Sequence, residues 1–464
     1  MEAKYSSIKH YNRLMKLIQY LIIALTVVSS TSCDPAKRIS KRAIDTEKTS
    51  MYSTSHWIDT SAVFSKSFTG FALYDPDFKV FIDSVNYDKY FTPASNTKFY
   101  TCYASMKTLG EKISGLKYVV SGDSLIFWGT GDPSMLNSDF GTDSTILNFL
   151  KDRKEKLYYA PQSVGAKFGA GWCWDDYYYG FSPERSDLPV YGNLTYWKFE
   201  KGKGKPNSTP AYFNQFALAA DPPNRLSVVR DEDQNMFRYS NADKELENGR
   251  NTPFKVNART TQALLSNAIK KPVALYRYYP SLNKRENVKT VYSIATNRVL
   301  EELMEDSDNL VGEQLLLNIS YEQFGVFDIK RTIAYITKEY LSDAPDKLVW
   351  RDGSGLSRYN LFTPRTMIYI LEKMHTEFGE EHLFNMMAVG GVSGTIKKWY
   401  AGESEPYVYA KTGTMSNKHC LSGYIKTKSG KTLIFSFMHN NYIGSSNPLK
   451  VEMQKVLERI REEY

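Results

Sequence analysis

Cysteine and histidine are scarce in this chain, which holds four cysteines and six histidines among its 464 residues. So few cysteines exclude a fold that depends on a disulfide framework. No two histidines stand at a ligand spacing such as His-x-x-x-His, and no two cysteines lie close together. No glycine-rich phosphate loop follows a predicted strand either, so the sequence predicts neither a metal site nor another cofactor.

Excess positive charge is also small, and most of it lies at the beginning of the chain. The formal net charge is +8, and residues 1–50 contribute nine Lys or Arg against four Asp or Glu, which is +5 of that total. No later basic stripe alternates with aromatic residues, so nucleic-acid binding is not expected. Hydrophobic residues make up 42% of the chain, which excludes a disordered protein.

Only one long apolar run occurs, and it is too short for a comfortable membrane span. Leu17–Val28 follows four basic residues and precedes small residues that lead into Cys33. This pattern is similar to a bacterial lipobox, although Ser30 stands where a leucine is usual. We expect a signal peptide over 1–32, lipid on Cys33 and a polar tether over 33–55. An ordinary cleaved signal peptide and an uncleaved anchor remain alternatives.

Three cysteines remain if Cys33 carries a lipid, namely Cys102, Cys173 and Cys420. Three is an odd number, so at least one is a free thiol or pairs with another chain. Cys102 and Cys420 stand among apolar residues, which favours buried free thiols.

Hydrophobic periodicity and turn residues predict a chain of mixed secondary structure. Residues 111–290 are rich in Tyr, Trp, Gly, Pro and Asn with short strand-like runs, which indicates a β-rich insertion. The predicted elements outside it are hairpins at 71–82 and 420–439, a strand at 407–410, and helices at 95–109, 291–304, from 309 onward, 364–378 and 449–461.

Ser95-Asn96-Thr97-Lys98 places a hydroxyl and an amine three residues apart at a predicted helix start. This spacing puts both groups on one helix face, and the helix N-terminus supplies free N–H groups. A neutral Lys98 could remove the Ser95 proton if burial lowers the pKa of its amine. The alternative is an N-capping serine beside a solvated lysine.

Ser307-Asp308-Asn309 stands between two predicted helices. In an extended geometry Ser307 and Asn309 point the same way and Asp308 points away. A hydroxyl can pass on a proton, and an amide can orient both a lysine and a substrate carbonyl. The alternative is a helix N-cap cluster, for which these residue types are preferred.

Lys411-Thr412-Gly413-Thr414 follows the strand predicted at 407–410. Gly413 would let a substrate backbone lie close to the strand. Lys411 offers positive charge, Thr412 offers a hydroxyl for a carboxylate, and the Thr414 N–H could serve an oxyanion hole. The alternative is a strand end followed by a turn.

Together and in this order, the three motifs resemble the signature of the penicillin-recognising serine enzymes. Ser95 and Ser307 are 212 residues apart, and Ser307 and Lys411 are 104 apart. The long first gap resembles the D-alanyl-D-alanine carboxypeptidase/endopeptidase family, the low-molecular-mass penicillin-binding proteins of class C, type 4. Three further blocks match that family, at Gly129–Pro133, Asp352–Arg358 and Gly390–Ile396.

The resemblance implies an α/β fold of the α+β type: a transpeptidase-like domain whose antiparallel sheet is flanked by helices and interrupted by a β-rich inserted domain. The catalytic domain would comprise residues 56–110 and 289–464. The inserted domain would comprise residues 111–288.

The resemblance also implies catalytic roles. Ser95 would be the acylated nucleophile and Lys98 its general base. Ser307 would relay a proton to the leaving D-alanine, and Asn309 would position Lys98 and the substrate amide. The N–H groups of Ser95 and Thr414 would stabilise the oxyanion.

Substrate-binding roles follow from the same resemblance. Lys411 and Thr412 would bind the terminal carboxylate, beside Gly413. Asp176, which ends the segment Gly171–Asp176, would bind the amino group of the stem-peptide diamino acid, although it could also be a solvated loop acid. Asp352 and Ser354 look catalytic by type, but their glycine-flanked loop is expected to shape the cleft.

The expected function is that of an exported serine DD-peptidase acting on peptidoglycan stem peptides and inhibited by β-lactams. It would face the periplasm in the cell envelope, held to a membrane by its N-terminal lipid. A serine β-lactamase or esterase on the same fold is the first alternative. A non-catalytic peptidoglycan-binding lipoprotein is the second, although a dead homologue should have lost Ser95, Lys98 or Lys411.

Overall fold

A computed structural model describes residues 53–141, 145–199, 205–220, 228–240, 249–277 and 287–464. Contacts divide the chain into Met1–Trp57 and Ile58–Tyr464, and the sheets and the site described below belong to the second unit. The predicted signal peptide, Cys33 and most of the tether lie outside the described residues. Among the described residues, no helix is long and apolar enough to cross a membrane.

The main sheet is antiparallel and has six strands in the order β14-β15-β16-β17-β1-β2. Its strands are β1 (Phe68–Asp75), β2 (Val80–Val85), β14 (Ala388–Val389), β15 (Val408–Met415), β16 (Lys418–Lys426) and β17 (Thr432–Asn440). The two predicted hairpins, at 71–82 and 420–439, are both observed, and the structure joins them in this one sheet.

Helices cover both faces of this sheet. The α-helices of the described residues are α1 (Thr54–Thr60), α2 (Lys98–Thr108), α3 (Thr145–Asp152), α4 (Ala258–Ile269), α5 (Thr296–Glu301), α6 (Asn309–Phe324), α7 (Ile329–Tyr340), α8 (Pro364–Phe378), α9 (Glu380–Phe384) and α10 (Asn447–Glu463). Side chains alternate along β1, so Ala72 and Tyr74 pack with α2, α6 and α8 while Phe71 and Leu73 pack with α10. The predicted fold class is confirmed: an antiparallel sheet flanked by helices.

A second, mixed sheet has five strands in the order β12-β5-β4-β3-β13. Its strands are β3 (Lys112–Ser121), β4 (Ser124–Gly129), β5 (Lys156–Tyr159), β12 (Val273–Leu275) and β13 (Lys289–Ala295). Between β5 and β12 in sequence, the described residues form two further sheets of three strands each. Their strands are β6 (Leu194–Phe199), β7 (Pro206–Thr209), β8 (Ala217–Ala219), β9 (Val228–Arg230), β10 (Phe237–Tyr239) and β11 (Arg250–Pro253). The described part of 111–288 is therefore rich in strands, and the predicted domain limits stay a prediction.

The prediction of a helix over 291–304 is wrong for residues 291–295. Residues up to Ala295 form β13, which pairs with β3 and places Val291 opposite Leu116. β-branched and aromatic residues here satisfy both a helical and a strand pattern, and the free edge of β3 decides between them. Helix begins only at Thr296, and a π-helical turn over Glu302–Asp306 follows it.

The strand predicted at 407–410 is longer than expected, since β15 continues to Met415 and contains the whole Lys411–Thr414 motif. The other predicted helices are observed, and the helix predicted from Ser95 starts as a 3-10 turn, Ala94–Thr97, before α2. Cys102, Cys173 and Cys420 are free thiols. Cys102 and Cys420 are buried as predicted, and burial raises the pKa of each thiol to about 12.

Candidate active site

One cleft brings together residues from all three sequence motifs. It has a volume of about 420 Å³, within the usual range for a small-molecule site. Five of the predicted site residues line it, namely Ser95, Asp176, Ser307, Asn309 and Thr414. Further lining residues that the sequence did not single out for a role are Phe181, Gly355, Leu356, Arg358, Met415 and Ser416.

Ser95 lies on the 3-10 turn that leads into α2. Asn96 beside it is fully buried, and its Nδ2 donates to the Lys411 carbonyl at 2.8 Å. Its Oδ1 accepts from the Ser422 hydroxyl, also at 2.8 Å. The amide of Asn96 thereby ties the serine turn to strands β15 and β16.

The amine of Lys98 makes three polar contacts. Its Nζ lies 2.9 Å from Ser95 Oγ, 2.6 Å from Asn309 Oδ1 and 2.6 Å from the Ser354 carbonyl oxygen. Asn309 must present its oxygen to Lys98, because its Nδ2 donates to the Phe181 carbonyl at 2.9 Å. A neutral amine has two N–H bonds. If these are given to Asn309 and Ser354, the nitrogen lone pair faces the Ser95 hydroxyl.

Burial sets the protonation of this amine. Lys98 is fully buried, and burial lowers its pKa from 10.5 to about 8. The carboxylates of Asp308, Asp352 and Glu313 oppose this shift by favouring the charged form. A sizeable fraction of Lys98 is therefore neutral near neutral pH, as a general base requires.

In the second motif, Asp308 caps a helix, while Ser307 and Asn309 line the cleft. Asp308 is the N-cap of α6, and its carboxylate accepts from the Val311 N–H at 2.7 Å. The N-cap interpretation of this motif thus holds for Asp308. Ser307 is left-handed, with φ of 67°, and lines the cleft together with Asn309.

Lys411 is close to the site but is not among the residues lining the cleft. It is fully buried on β15, and burial, followed by the charge of Lys98, lowers its pKa well below 10.5. Asp306 opposes the shift. A carboxylate bound beside Lys411 would restore the charged form.

Thr412 and Thr414 extend from the same strand. The Thr412 hydroxyl donates to Thr395 Oγ1 at 2.9 Å, and Thr414 Oγ1 lies 2.9 Å from His419 Nδ1. At Gly413 a Cβ atom would clash with the carbonyl oxygen of Pro93. The structure therefore explains this glycine by the close passage of β15 over the serine turn, and its predicted contact with substrate stays a prediction.

The loop that begins at Asp352 shapes the cleft, as predicted. The buried Asp352 carboxylate accepts from the N–H groups of Gly355 at 3.0 Å and Ser357 at 2.6 Å. It also accepts from Asn360 Nδ2 at 2.6 Å and from Trp172 Nε1 at 2.8 Å. These four bonds fix the turn whose Ser354 carbonyl meets Lys98.

Glu313 and Arg185 support the same turn, and the sequence analysis missed both. Glu313 Oε1 accepts from the Ser354 N–H at 2.8 Å, while Oε2 accepts from Arg185 Nε at 2.8 Å and from its Nη2. Both side chains are buried. A glutamate inside the apolar run of α6 was a local signal of a buried pair, but nothing local identifies Arg185 as its partner.

Helix α6 continues from the site toward the five-stranded sheet. Gln314 Nε2 donates to the carbonyls of Gly131 at 3.0 Å and Ser186 at 2.7 Å. Asn318 Nδ2 donates to the carbonyls of Ser114 and Thr130, each at 3.0 Å. This explains the Gly129–Pro133 block as the place where the second sheet meets α6.

Asp176 lies in the cleft on the segment that joins β5 to β6. Burial and the neighbouring Asp175 raise the pKa of its carboxyl group, and Arg358 lowers it. The Arg358 N–H donates to the Gly171 carbonyl at 3.0 Å, which holds the two loops together. The cleft thus presents one carboxylate and one guanidinium beyond the serine. Among the described residues, no group of three or more His, Cys, Asp or Glu could hold a metal ion.

Residues 60–462 match the family model described as the D-Ala-D-Ala carboxypeptidase 3 (S13) family. D-alanyl-D-alanine carboxypeptidase DacB of Haemophilus influenzae is 29% identical over 155 residues, which is 31% of this chain and 31% of that protein. The chain thus matches about a third of that relative's length. Penicillin-sensitive carboxypeptidase A of Dictyostelium discoideum is 23% identical over 78% of this chain and 80% of its own.

A solved structure shares the fold. The crystal structure of penicillin binding protein 4 of Haemophilus influenzae has a TM-score of 0.72 and 20% sequence identity, and the match covers 88% of this chain and 99% of that one. The same protein has been solved with a β-lactam, at a TM-score of 0.66 and 19% identity over the same shares of the two chains.

Removing the charge of Glu313 should destabilise the protein strongly. We expect Glu313→Gln to lower the free energy of unfolding by about 3–5 kcal/mol, because Arg185 would be left buried without its counter-charge. Urea unfolding followed by tryptophan fluorescence measures the change. The matched control is Glu339→Gln, which removes the exposed Lys338–Glu339 pair and should cost less than about 1 kcal/mol. Equal effects of the two substitutions would contradict the prediction.

Proposed function

Because the chain belongs to the D-Ala-D-Ala carboxypeptidase 3 (S13) family, we propose that it hydrolyses the D-Ala-D-Ala peptide of peptidoglycan stems through an acyl-enzyme on Ser95. One observation carries the proposal. The buried Lys98 amine lies 2.9 Å from Ser95 Oγ, with acceptors from Asn309 and Ser354 in place for two N–H bonds. This geometry fits a base poised to deprotonate the serine.

Acylation is the first half of the proposed reaction. Ser95 Oγ attacks the carbonyl carbon of the penultimate D-alanine, and its proton passes to Lys98 Nζ. The N–H groups of Ser95 and Thr414 stabilise the resulting oxyanion. The C–N bond then breaks, and the leaving amine takes a proton from the Ser307 hydroxyl, which the proton held by Lys98 replaces. In the second half, water attacks the Ser95 ester and gives a proton to the neutral Lys98. The ester C–O bond then breaks, and Lys98 returns that proton to Ser95 Oγ.

Binding of the terminal D-alanine is assigned to strand β15. A substrate carboxylate beside Lys411 would favour the protonated amine that burial otherwise disfavours, so charging of Lys411 is coupled to substrate binding. Thr412, held by Thr395 at 2.9 Å, would offer its hydroxyl to the same carboxylate. In a cross-link, the amine of another residue takes the place of the terminal D-alanine on the same carbonyl. Its cleavage would follow the same steps with a different leaving amine, which is endopeptidase chemistry.

Two other functions have less support from the site. A serine β-lactamase on this fold would release a penicilloyl ester quickly, whereas a peptidase would keep it. A non-catalytic binding protein would not need a lysine buried against a serine. All three of Ser95, Lys98 and Lys411 are retained, and the first two are in contact.

Export and lipid attachment complete the proposal. The sequence pattern of residues 1–32 supports a signal peptide, and the small residues before Cys33 support a lipid on that thiol. The protein would then face the periplasm from a membrane of the cell envelope. Mass analysis of the N-terminal peptide from the mature protein tests this assignment, since an unmodified Met1 terminus would refute it.

Ser95→Ala should abolish both covalent inhibition and turnover. Wild type incubated with benzylpenicillin should gain the mass of one penicilloyl group that persists for minutes, and it should release D-alanine from a pentapeptide ending in D-Ala-D-Ala. Ser95→Ala should do neither, because no nucleophile remains, while the exposed-loop control Ser163→Ala behaves as wild type. An adduct on Ser95→Ala would refute the nucleophile, and rapid loss of the wild-type adduct would favour the β-lactamase alternative.

Acylation should accelerate with rising pH. The neutral form of Lys98 is the base, and its pKa is about 8, so the neutral fraction grows from about a tenth at pH 7 to about a half at pH 8. Stopped-flow acylation by a chromogenic β-lactam between pH 6 and 10 should show this limb. A rate that is flat from pH 6 to 9 would contradict the assignment of Lys98 as base.

Asp176→Asn should weaken selection of the side chain on the stem. We expect KM for a stem peptide with a free diamino-acid amine to rise about tenfold, since an ion pair in a partly buried cleft is lost. KM for the same peptide with that amine acetylated should not change. Steady-state D-alanine release measures both values, and equal shifts for the two peptides would count against an amine contact.

A further inference from the structure

A second cleft shares the loop that borders the active site. It has a volume of about 320 Å³, and its lining includes Trp172, Trp174 and Tyr177. The loop therefore faces two spaces, because Asp176 and Phe181 of the same segment line the first cleft. The proposed reaction gives no role to the second cleft.

Aromatic side chains make up part of the lining of this second cleft. Trp174 is 76% exposed, which is unusual for so large an apolar side chain. Trp172 is fixed, because its Nε1 donates to Asp352 at 2.8 Å and the Arg185 guanidinium lies 5.1 Å from its ring centre. The contacts of Trp172 thus fix the segment that carries the exposed Trp174 ring, next to the loop that borders the first cleft.

Polar and charged groups also line this cleft. Arg230 is buried, with its Nε donating to the Pro253 carbonyl at 2.9 Å and its guanidinium 5.1 Å from the Tyr177 ring. Glu184, also buried, accepts from the Val256 N–H at 2.8 Å. The exposed carboxylates of Glu232 and Asp233 and the Lys255 amine complete the lining. The lining of this cleft therefore combines aromatic rings with charged side chains of both signs.

This combination restricts the ligand. Three carboxylates beside two cations disfavour an acidic ligand, and the exposed indole would be unused by a small cation. A sugar ring has an apolar face for the indole and hydroxyl and amide groups that can both donate and accept. We propose that this cleft binds an N-acetylated amino sugar of the glycan strand that carries the stem peptide.

The proposal rests on the proposed function, since it names the part of the same substrate that lies beyond the peptide. The loop between the clefts would then contact the stem peptide on one side and the attached sugar on the other. Stems still joined to glycan should be preferred over free peptides, because the sugar adds contacts that a free peptide lacks.

Kinetics with two substrates test the sugar contact. The first is a disaccharide-linked pentapeptide built on N-acetylglucosamine and N-acetylmuramic acid, and the second is the same pentapeptide without sugar. Wild type should show the lower KM for the first. Trp174→Ala should raise that KM about five- to tenfold and leave both constants for the free peptide unchanged, and Trp174→Tyr should restore part of the loss. The control Phe78→Ala removes another exposed ring, 69% accessible on the β1–β2 turn, and should change neither substrate.

Equal KM shifts for both substrates in Trp174→Ala, or no shift for either, would overturn the sugar assignment. A binding test without turnover separates its failure from failure of the proposed function. N,N′-diacetylchitobiose titrated into Ser95→Ala should alter tryptophan fluorescence, and the Ser95→Ala, Trp174→Ala double variant should lose that change. No release of D-alanine from either substrate would refute the peptidase, while the titration would still decide the cleft. An identical fluorescence response in Ser95→Ala and in the double variant would refute the binding of a sugar in the second cleft.

Discussion

The contacts of the Lys98 amine are the constraint on which the site depends. An amine removed from water must find hydrogen-bonding partners at defined positions, and the three within reach come from three separate parts of the chain. The Ser95 turn supplies one, Asn309 at the start of α6 supplies the second, and the carbonyl of Ser354 supplies the third. Each of these three partners is itself held by another group, so several independent contacts fix the position of Lys98 Nζ.

Helix α6 organises these supports along its first turns. Asn309 meets Lys98, Glu313 one turn later holds both Ser354 and Arg185, and Gln314 reaches the loops of the five-stranded sheet. The same helix therefore joins the geometry around Lys98 to the packing of the five-stranded sheet. It also explains why the loop after β5, held by Trp172 and Arg185, can border two clefts at once.

Local patterns carried most of what the sequence could predict. The Ser95–Lys98 pair, the capping cluster at Asp308 and the terminal hairpin depend on neighbours a few residues away, and each was recognisable. The Glu313–Arg185 pair was not, because its partners are 128 residues apart and meet only in the folded chain. The strand at β13 was mistaken for helix for the same reason, since pairing with β3 decided it. Gly413 was predicted to contact the substrate, and that contact stays a prediction; the sequence did not indicate that a Cβ atom at this position would also meet the Pro93 carbonyl oxygen.

The ties of Asn96 to Lys411 and Ser422 have a consequence for the life of the chain before folding is complete. Strand β1 likewise pairs with β17, which places Phe71 opposite Phe437. A chain made from its N-terminus cannot form either contact until nearly all of it has been synthesised, and such long-range pairing is slow. The Ser95 turn therefore lacks these supports in a nascent chain until β15, β16 and β17 have been made, and the proposed activity would emerge only with the last strands of the sheet.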